Sequence, residues 1–359
     1  MILQNAVRFS SIDAMRGLTV AAMLLVNNAG DWDHVYPWLE HAQWHGCTPA
    51  DFIFPLFLFI VGVSLHLALA PQLERGVNVA ELGRSVLWRA LRIFILGVAL
   101  HLIAHWLING REFRLMGVLQ RIGLCFAAVG LIAIYVRSAR MQWFIFVALL
   151  LAYWMMLLAG GSLQPDLNLV DKADTLVLGQ FAYSFNPATG LAHEPEGVLS
   201  TIPAIATVLL GLQAGAWLRK GRAQRLWQAG LAMLLLGWLW SQLLPLNKQL
   251  WTPSFVLWTG SVGLLSLSLM HKLIDLRGMP AVGRSFGVNA IAAYAGSWVV
   301  TCLLAATGWD ALWYRQGLVL PLAQYFSDAF ISFLFAAIFT SAFGVLVWLM
   351  RRAGWRITI

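Results

Sequence analysis

A chain of 359 residues that is 60% hydrophobic and only 11% charged, with a mean hydropathy of +0.74, cannot cover a soluble surface with polar groups. Soluble domains carry roughly 25% charged residues. The formal net charge of +8 resides in short basic loops between apolar runs. That is a topology signal and excludes a nucleic-acid face, which needs a basic patch on a polar domain. Three scattered cysteines, Cys47, Cys125 and Cys302, imply no disulfide framework.

At about 20 apolar residues per span, ten helices are predicted near 13–30, 50–70, 86–107, 115–136, 141–160, 198–218, 226–244, 254–271, 286–306 and 328–350. The expectation is an all-α, polytopic transmembrane bundle forming one domain. With the N-terminus inside, all but six of the 24 Lys and Arg fall on the cytoplasmic side, Arg8 among them. The six exceptions are Arg111, Arg114, Arg121, Lys172, Lys248 and Arg315. This asymmetry places both termini in the cytoplasm. No small-x-small site follows the first apolar run, so no cleaved leader is expected. Two outer segments exceed turn length: a connector over 31–49 and a loop over 161–197, expected to cap the outer mouth.

The stretch from Arg8 to Gly62 concentrates the chemistry. Asn27 and Asn28 end the first span with two amides, and the connector that follows is crowded with His, Asp, Glu and Trp. His34, His41 and His45 are imidazoles whose ordinary pKa lies near neutrality, which suits a general base or nucleophile. A metal site with Asp31 or Asp33 is the rival reading, but the spacing matches no zinc pattern. The second span opens Thr48-Pro49-Ala50-Asp51, a capping-box arrangement. Asp51 is thus a helix-start carboxylate that can also orient an imidazole. At the inner end, Asp13 and Arg16 share a helix face as an ion pair.

Later polar residues fall inside apolar runs. Gln120 and Arg121 lie within GVLQRIG, and an arginine at that depth must be paired or face a cavity. Asn247 and Lys248 within PLNKQLW, and Asn289 within GVNAIAAY, are further candidates. His66, His101 and His105 read as hydrogen-bonded members of the bundle. The phosphate-binding glycine loop, the G-x-S-x-G elbow and H-E-x-x-H are absent, so ATP-driven transport and α/β-hydrolase chemistry find no support.

The strings SIDAMRGLTVAAMLLVNN and HAQWHGCTPADFIFPLFLFIVG, followed in order by GVLQRIG, EPEGVLSTIPAI, PLNKQLW and GVNAIAAY, resemble the heparan-α-glucosaminide N-acetyltransferase family and its bacterial NagX-like relatives. The likeness covers nearly the whole chain. It implies a multi-span enzyme of a bacterial inner membrane, using acetyl-CoA as co-substrate to acetylate the amine of glucosamine or a related amino sugar. It also implies a homodimer. The family's essential histidine, which opens the H-A-x-W-x-G block, falls on His41, and the asparagine of its V-N motif falls on Asn27. His45 stands where the human relative has asparagine, which weakens both a catalytic His45 and the metal reading. The usual D-P-E-G reads Glu194-Pro195-Glu196-Gly197. The human relative has a lumenal domain ahead of its first span; its lack here points to a small sugar rather than a polymer end.

Together these imply a site in which His41 acts as base or acyl carrier, Asn27 polarises the acetyl carbonyl and Asp51 orients the imidazole. Arg121, Gln120, Lys248, Asn247 and Asn289 are expected to line the acetyl-CoA cavity. With His41 outside and acetyl-CoA in the cytoplasm, the acetyl group would cross the membrane. Two alternatives remain at this stage: an amino-sugar transporter, disfavoured by the lack of an internal repeat, and an O-acyltransferase of envelope glycans.

Overall fold

In a computed structural model, which describes residues 9–357, the chain is a bundle of helices with one small hairpin. The helices are α1 Ser10–Val26, α2 Ile53–Glu74, α3 Val79–Leu107, α4 Val118–Tyr135, α5 Ala139–Ala159, α6 Leu169–Val177, α7 Thr201–Arg219, α8 Gln224–Ser241, α9 Pro253–Met270, α10 Arg284–Val288, α11 Ala290–Thr307, α12 Trp309–Leu312, α13 Leu320–Leu322 and α14 Asp328–Arg352. All ten predicted helices are present, with shifted ends. Among the described residues, eight helical stretches are long and apolar enough to cross a bilayer. The remaining two long helices are α1, of 17 residues, and α8, whose first turn holds Gln224 and Arg225. The molecule is therefore a helical polytopic membrane bundle.

The centre is apolar and tightly packed. Leu58, Phe59 and Val63 of α2 meet Val208, Leu209 and Leu212 of α7, all buried. The two backbones approach so closely that a Cβ on Gly62 would lie 1.9 Å from the Val208 carbonyl oxygen, and one on Gly211 1.9 Å from that of Phe59. Small residues at such crossings let van der Waals contact replace the hydrophobic drive that lipid does not supply. At the periphery the polarity rule of soluble proteins is inverted. On α5, Phe144, Val147, Leu151, Met155 and Leu158 recur at helical spacing and stay exposed, as a lipid-facing stripe requires.

The helices alternate in direction, so the connectors sort to two ends. At one end Arg219 pairs with Glu74, Ser11 Oγ bonds Asp275, and Arg351 reaches Ser285 Oγ. Most basic residues lie here, and we call it the basic end; Arg8 lies outside the described residues. The opposite end, here the site end, gathers the long connectors. Trp44 Nε1 donates to the Leu163 carbonyl at 2.8 Å, and Leu115 N to that of Phe181 at 2.8 Å. Within residues 161–197 the chain forms α6 and an antiparallel hairpin of β1 Ser184–Asn186 with β2 Leu191–His193. This segment lies over the site end, touching the α1–α2 connector through Trp44 and the α3–α4 connector through Leu115.

Candidate active site

The site begins with the capping box that starts the second span. Pro49–Phe52 forms a 3-10 turn, and Thr48 and Asp51 satisfy each other's backbone groups. Asp51 Oδ2 accepts from Thr48 N at 2.9 Å, Thr48 Oγ1 at 3.1 Å and Ala42 N at 3.1 Å. The carboxylate is fully buried, and these donors leave Oδ1 as its open acceptor. His41 Nδ1 lies 2.9 Å from that oxygen, while the imidazole itself stays 45% exposed. The distance is right, but the ring is not aligned to give Oδ1 a well-angled hydrogen bond. Such a bond often tightens only when substrate is present.

Lys248 completes the cluster from the α8–α9 connector. Its Nζ lies 3.0 Å from His41 Nε2, 3.1 Å from Nδ1 and 3.6 Å from Asp51 Oδ1. The lone-pair directions of the two ring nitrogens diverge, so one ammonium cannot bond both in line; it is a charge placed against the ring. Burial lowers the Lys248 pKa, against the pull of Asp51 and Glu196.

The Lys248 backbone is pinned on both flanks. Asn247 Oδ1 accepts from Leu250 N at 2.8 Å, its Nδ2 approaches His45 Nδ1 at 3.3 Å, and Gly46 N donates to the Leu246 carbonyl at 2.8 Å. Trp251 ends this turn at φ +51°, a conformation rare for a large side chain. Its indole is buried and bonds Thr207 Oγ1.

Behind Trp251 lies a second, deeper cluster. The Arg121 guanidinium packs 5.1 Å from the Trp251 ring, fully buried. Its Nη2 donates to Ser200 Oγ and the Gly197 carbonyl, while Nε and Nη1 have no hydrogen-bond partner among the described residues. Arg114 forks onto Glu194 through Nε (2.9 Å) and Nη2, and Nη2 also meets Glu196. Burial opposes ionisation of Glu196, but Arg114, Arg121 and Lys248 override it and hold the carboxyl below its usual range. Burial likewise works against Arg114, and Glu196 and Glu194 outweigh it and raise its pKa. Asp174 caps Val198 N at 2.9 Å, and burial pushes its pKa up to about 7. A Cβ on Gly197 would fall 1.9 Å from Asp174 Oδ2, so a larger residue there would have to displace the Asp174 carboxyl from Val198 N.

The structure therefore brings His41, Asp51, Lys248 and Asn247 together, with Arg121 reaching the same turn through Trp251. Gln120, next to Arg121 on α4, faces α3 instead: its Nε2 donates to the Leu115 carbonyl at 2.9 Å and lies 3.4 Å from His101 Nδ1, with Oε1 unpartnered. Asn289 lies at the basic end instead, where its Oδ1 accepts from Ile357 N at 3.2 Å. Asn27 is exposed at the end of α1 with no side-chain partner among the described residues, whereas Asn28 is tied to α11 by Thr301 Oγ1 at 2.7 Å. Among the described residues no group of His, Cys, Asp and Glu could hold a metal.

The family model for heparan-alpha-glucosaminide N-acetyltransferase, catalytic, matches residues 8–244, and so covers Asp51, His41 and the whole E-P-E-G turn. The chain belongs to this family. Curated relatives agree. The heparan-alpha-glucosaminide N-acetyltransferase of Mus musculus is 27% identical over 355 residues, covering 81% of this chain and 53% of its own. That of Homo sapiens is 27% identical over 352 residues, covering 80% and 52%. The chain spans about half the length of the curated relatives it matches. The Lys248 turn falls beyond the family-model match, and its place in the site rests on the geometry above.

Reading the sequence missed Arg114, Asp174 and the pair His193–Asp171. One signal was available for Arg114. It is an arginine on the sparsely basic side of the molecule, and E-P-E-G supplies the only close pair of glutamates in the chain.

Proposed function

We propose that this protein is a membrane-embedded acetyltransferase that moves the acetyl group of acetyl-CoA to the amine of glucosamine or a related amino sugar. The observation that carries the reading is His41 set between the buried carboxylate of Asp51 and the ammonium of Lys248, at the end away from most basic residues. A carboxylate beside Nδ1 favours the tautomer with its proton there, which leaves Nε2 as the base. The amine nitrogen attacks the thioester carbonyl carbon and gives its proton to His41. The C–N bond forms, the C–S bond breaks, and the proton passes to the departing thiolate. Lys248 supplies positive charge where the carbonyl oxygen becomes negative, and Asn27 is the second donor assigned to that oxygen. His41 can instead carry the acetyl group between two half-reactions; a burst of free CoA before any acceptor is added would distinguish that route.

The residues present fit an acyl-CoA. Arg121 Nε and Nη1 and Gln120 Oε1 are buried polar atoms in want of partners, suited to the phosphates and amides of the coenzyme. Asn289 Nδ2 is a similar unpartnered donor at the basic end. By the positive-inside rule that end faces the cytoplasm, where acetyl-CoA is made. The acetyl group would then meet His41 on the far side of the membrane.

The test uses purified protein with acetyl-labelled acetyl-CoA and glucosamine, and in parallel proteoliposomes given labelled sugar alone. Label appearing in N-acetylglucosamine supports the reading. Sugar uptake without acetyl-CoA and without transfer overturns it in favour of a transporter.

A further inference from the structure

One imidazole at the site end has no part in the reaction above and yet is fixed on both sides. His193 closes β2. Its Nδ1 lies 2.7 Å from Asp171 Oδ1 on α6, and its Nε2 makes a short contact with Gln249 Oε1 on the α8–α9 connector. Each neighbour's role as acceptor is set by its other bonds. Gln249 Nε2 donates to the Gln43 carbonyl at 3.2 Å, which turns Oε1 toward His193. Asp171 is buried and uses Oδ2 to accept from Asp166 N at 2.8 Å and from Asn168 Nδ2, so it too is an acceptor. Both ring nitrogens face acceptors, and only the imidazolium has two N–H donors.

The surroundings agree. Burial works against the charge on His193, but the bond it donates to Asp171 outweighs it, with Gln249 and the adjacent Glu194 adding to it, and the pKa is raised. Asp171 on α6 and Glu194, the residue after β2, are the charged groups that bear on the ring. Trp44, at 5.7 Å between ring centroids, is its aromatic neighbour from the α1–α2 connector, and Gln249 is neutral. Gln249 directly follows Lys248, so the contact ends on the turn that sets the ammonium against His41.

We propose that doubly protonated His193 is a positioning residue, which clamps Gln249 and thereby holds Lys248 at His41. The clamp joins three segments distant in sequence: α6 and β2 of the cap, the α8–α9 connector and, through Gln249, residue 43 of the α1–α2 connector. Losing the Nε2 proton would set the ring's lone pair against Gln249 Oε1 and open the clamp, so transfer should fall on an alkaline limb.

The proposal rests on the acetyltransferase reading, and its test has one arm that needs no activity. In the first arm kcat is followed against pH. Gln249→Glu, an isosteric change, strengthens the acceptor and should move the alkaline limb to higher pH. Asp171→Asn should move it to lower pH. His193→Phe should lower kcat about tenfold or more with KM little changed, since misplacement of catalytic groups acts on turnover. In the second arm Lys248 is acetylated chemically by acetic anhydride and read by peptide mass spectrometry. His193→Phe should label Lys248 severalfold faster than wild type at the same pH. Equal labelling, or limbs that move in the same direction in Gln249→Glu and Asp171→Asn, would overturn the proposal. Loss of protection in a protein that transfers no acetyl group would leave the clamp standing and sink the acetyltransferase reading instead.

Discussion

Two arginine forks, one at each end of the bundle, show how differently the ends are made. At the basic end Arg219 grips both oxygens of Glu74 at 2.5 Å, with the glutamate side chain 59% exposed. At the site end Arg114 grips Glu194 and Glu196, whose side chains are 0% and 10% exposed. The local chemistry is the same; the solvent is not. Water screens the first pair, and it does little more than decorate a helix end. The second has been taken out of water, so each partner now depends on the other. It ties the α3–α4 connector to the E-P-E-G turn and, through Gly197 and Ser200, to Arg121 behind the Lys248 turn. A charged pair becomes structural when the chain has no aqueous alternative for it.

Removing the buried cation should produce the largest effect on stability. Arg114→Met leaves two carboxylates buried without their fork, which costs about 3–5 kcal/mol. In detergent the variant should melt far below wild type. Adding Glu194→Gln should restore much of the loss, since the carboxylate that remains, Glu196, still has Arg121 as its counter-charge.

Asp174, beside this cluster, sharpens the contrast with a smaller, pH-dependent effect. Its pKa is raised from 3.8 to about 7 by burial. The folded state therefore holds its proton over a range where the unfolded chain has released it. Stability should decline as pH rises from about 4 to about 7 and level off above that. Asp174→Asn should flatten this part of the profile, measured as the difference in melting temperature between variant and wild type at each pH. An unchanged difference across that window would contradict the assignment.

The smallest effect belongs to the exposed fork. Arg219→Met should leave the melting temperature within the scatter of replicate scans. A loss comparable to that of Arg114→Met would erase the distinction between the two ends.

The bundle was legible because its signals are local. Apolar length marks each span, and Thr48 to Asp51 marks the start of α2 within four residues. Asp51 beside His41 was legible for the same reason, since both belong to one short connector. Lys248 was expected to line the acetyl-CoA cavity, and its contact with His41 was not foreseen. Nothing in PLNKQLW says that its ammonium meets an imidazole 207 positions earlier. The Arg114 fork and the His193 clamp escaped for that reason too, as each joins connectors whose proximity exists only after the helices pack. Asn289 shows the converse limit: an asparagine in an apolar run announces depth, but not which end of the molecule it serves.

The central claim is that His41 performs the transfer, and it reduces to one rate. Purified His41→Ala, assayed with acetyl-labelled acetyl-CoA and glucosamine beside wild type, should lose at least about 100-fold in kcat, with an unchanged melting temperature because its ring is half exposed. Transfer at the wild-type rate would contradict the account.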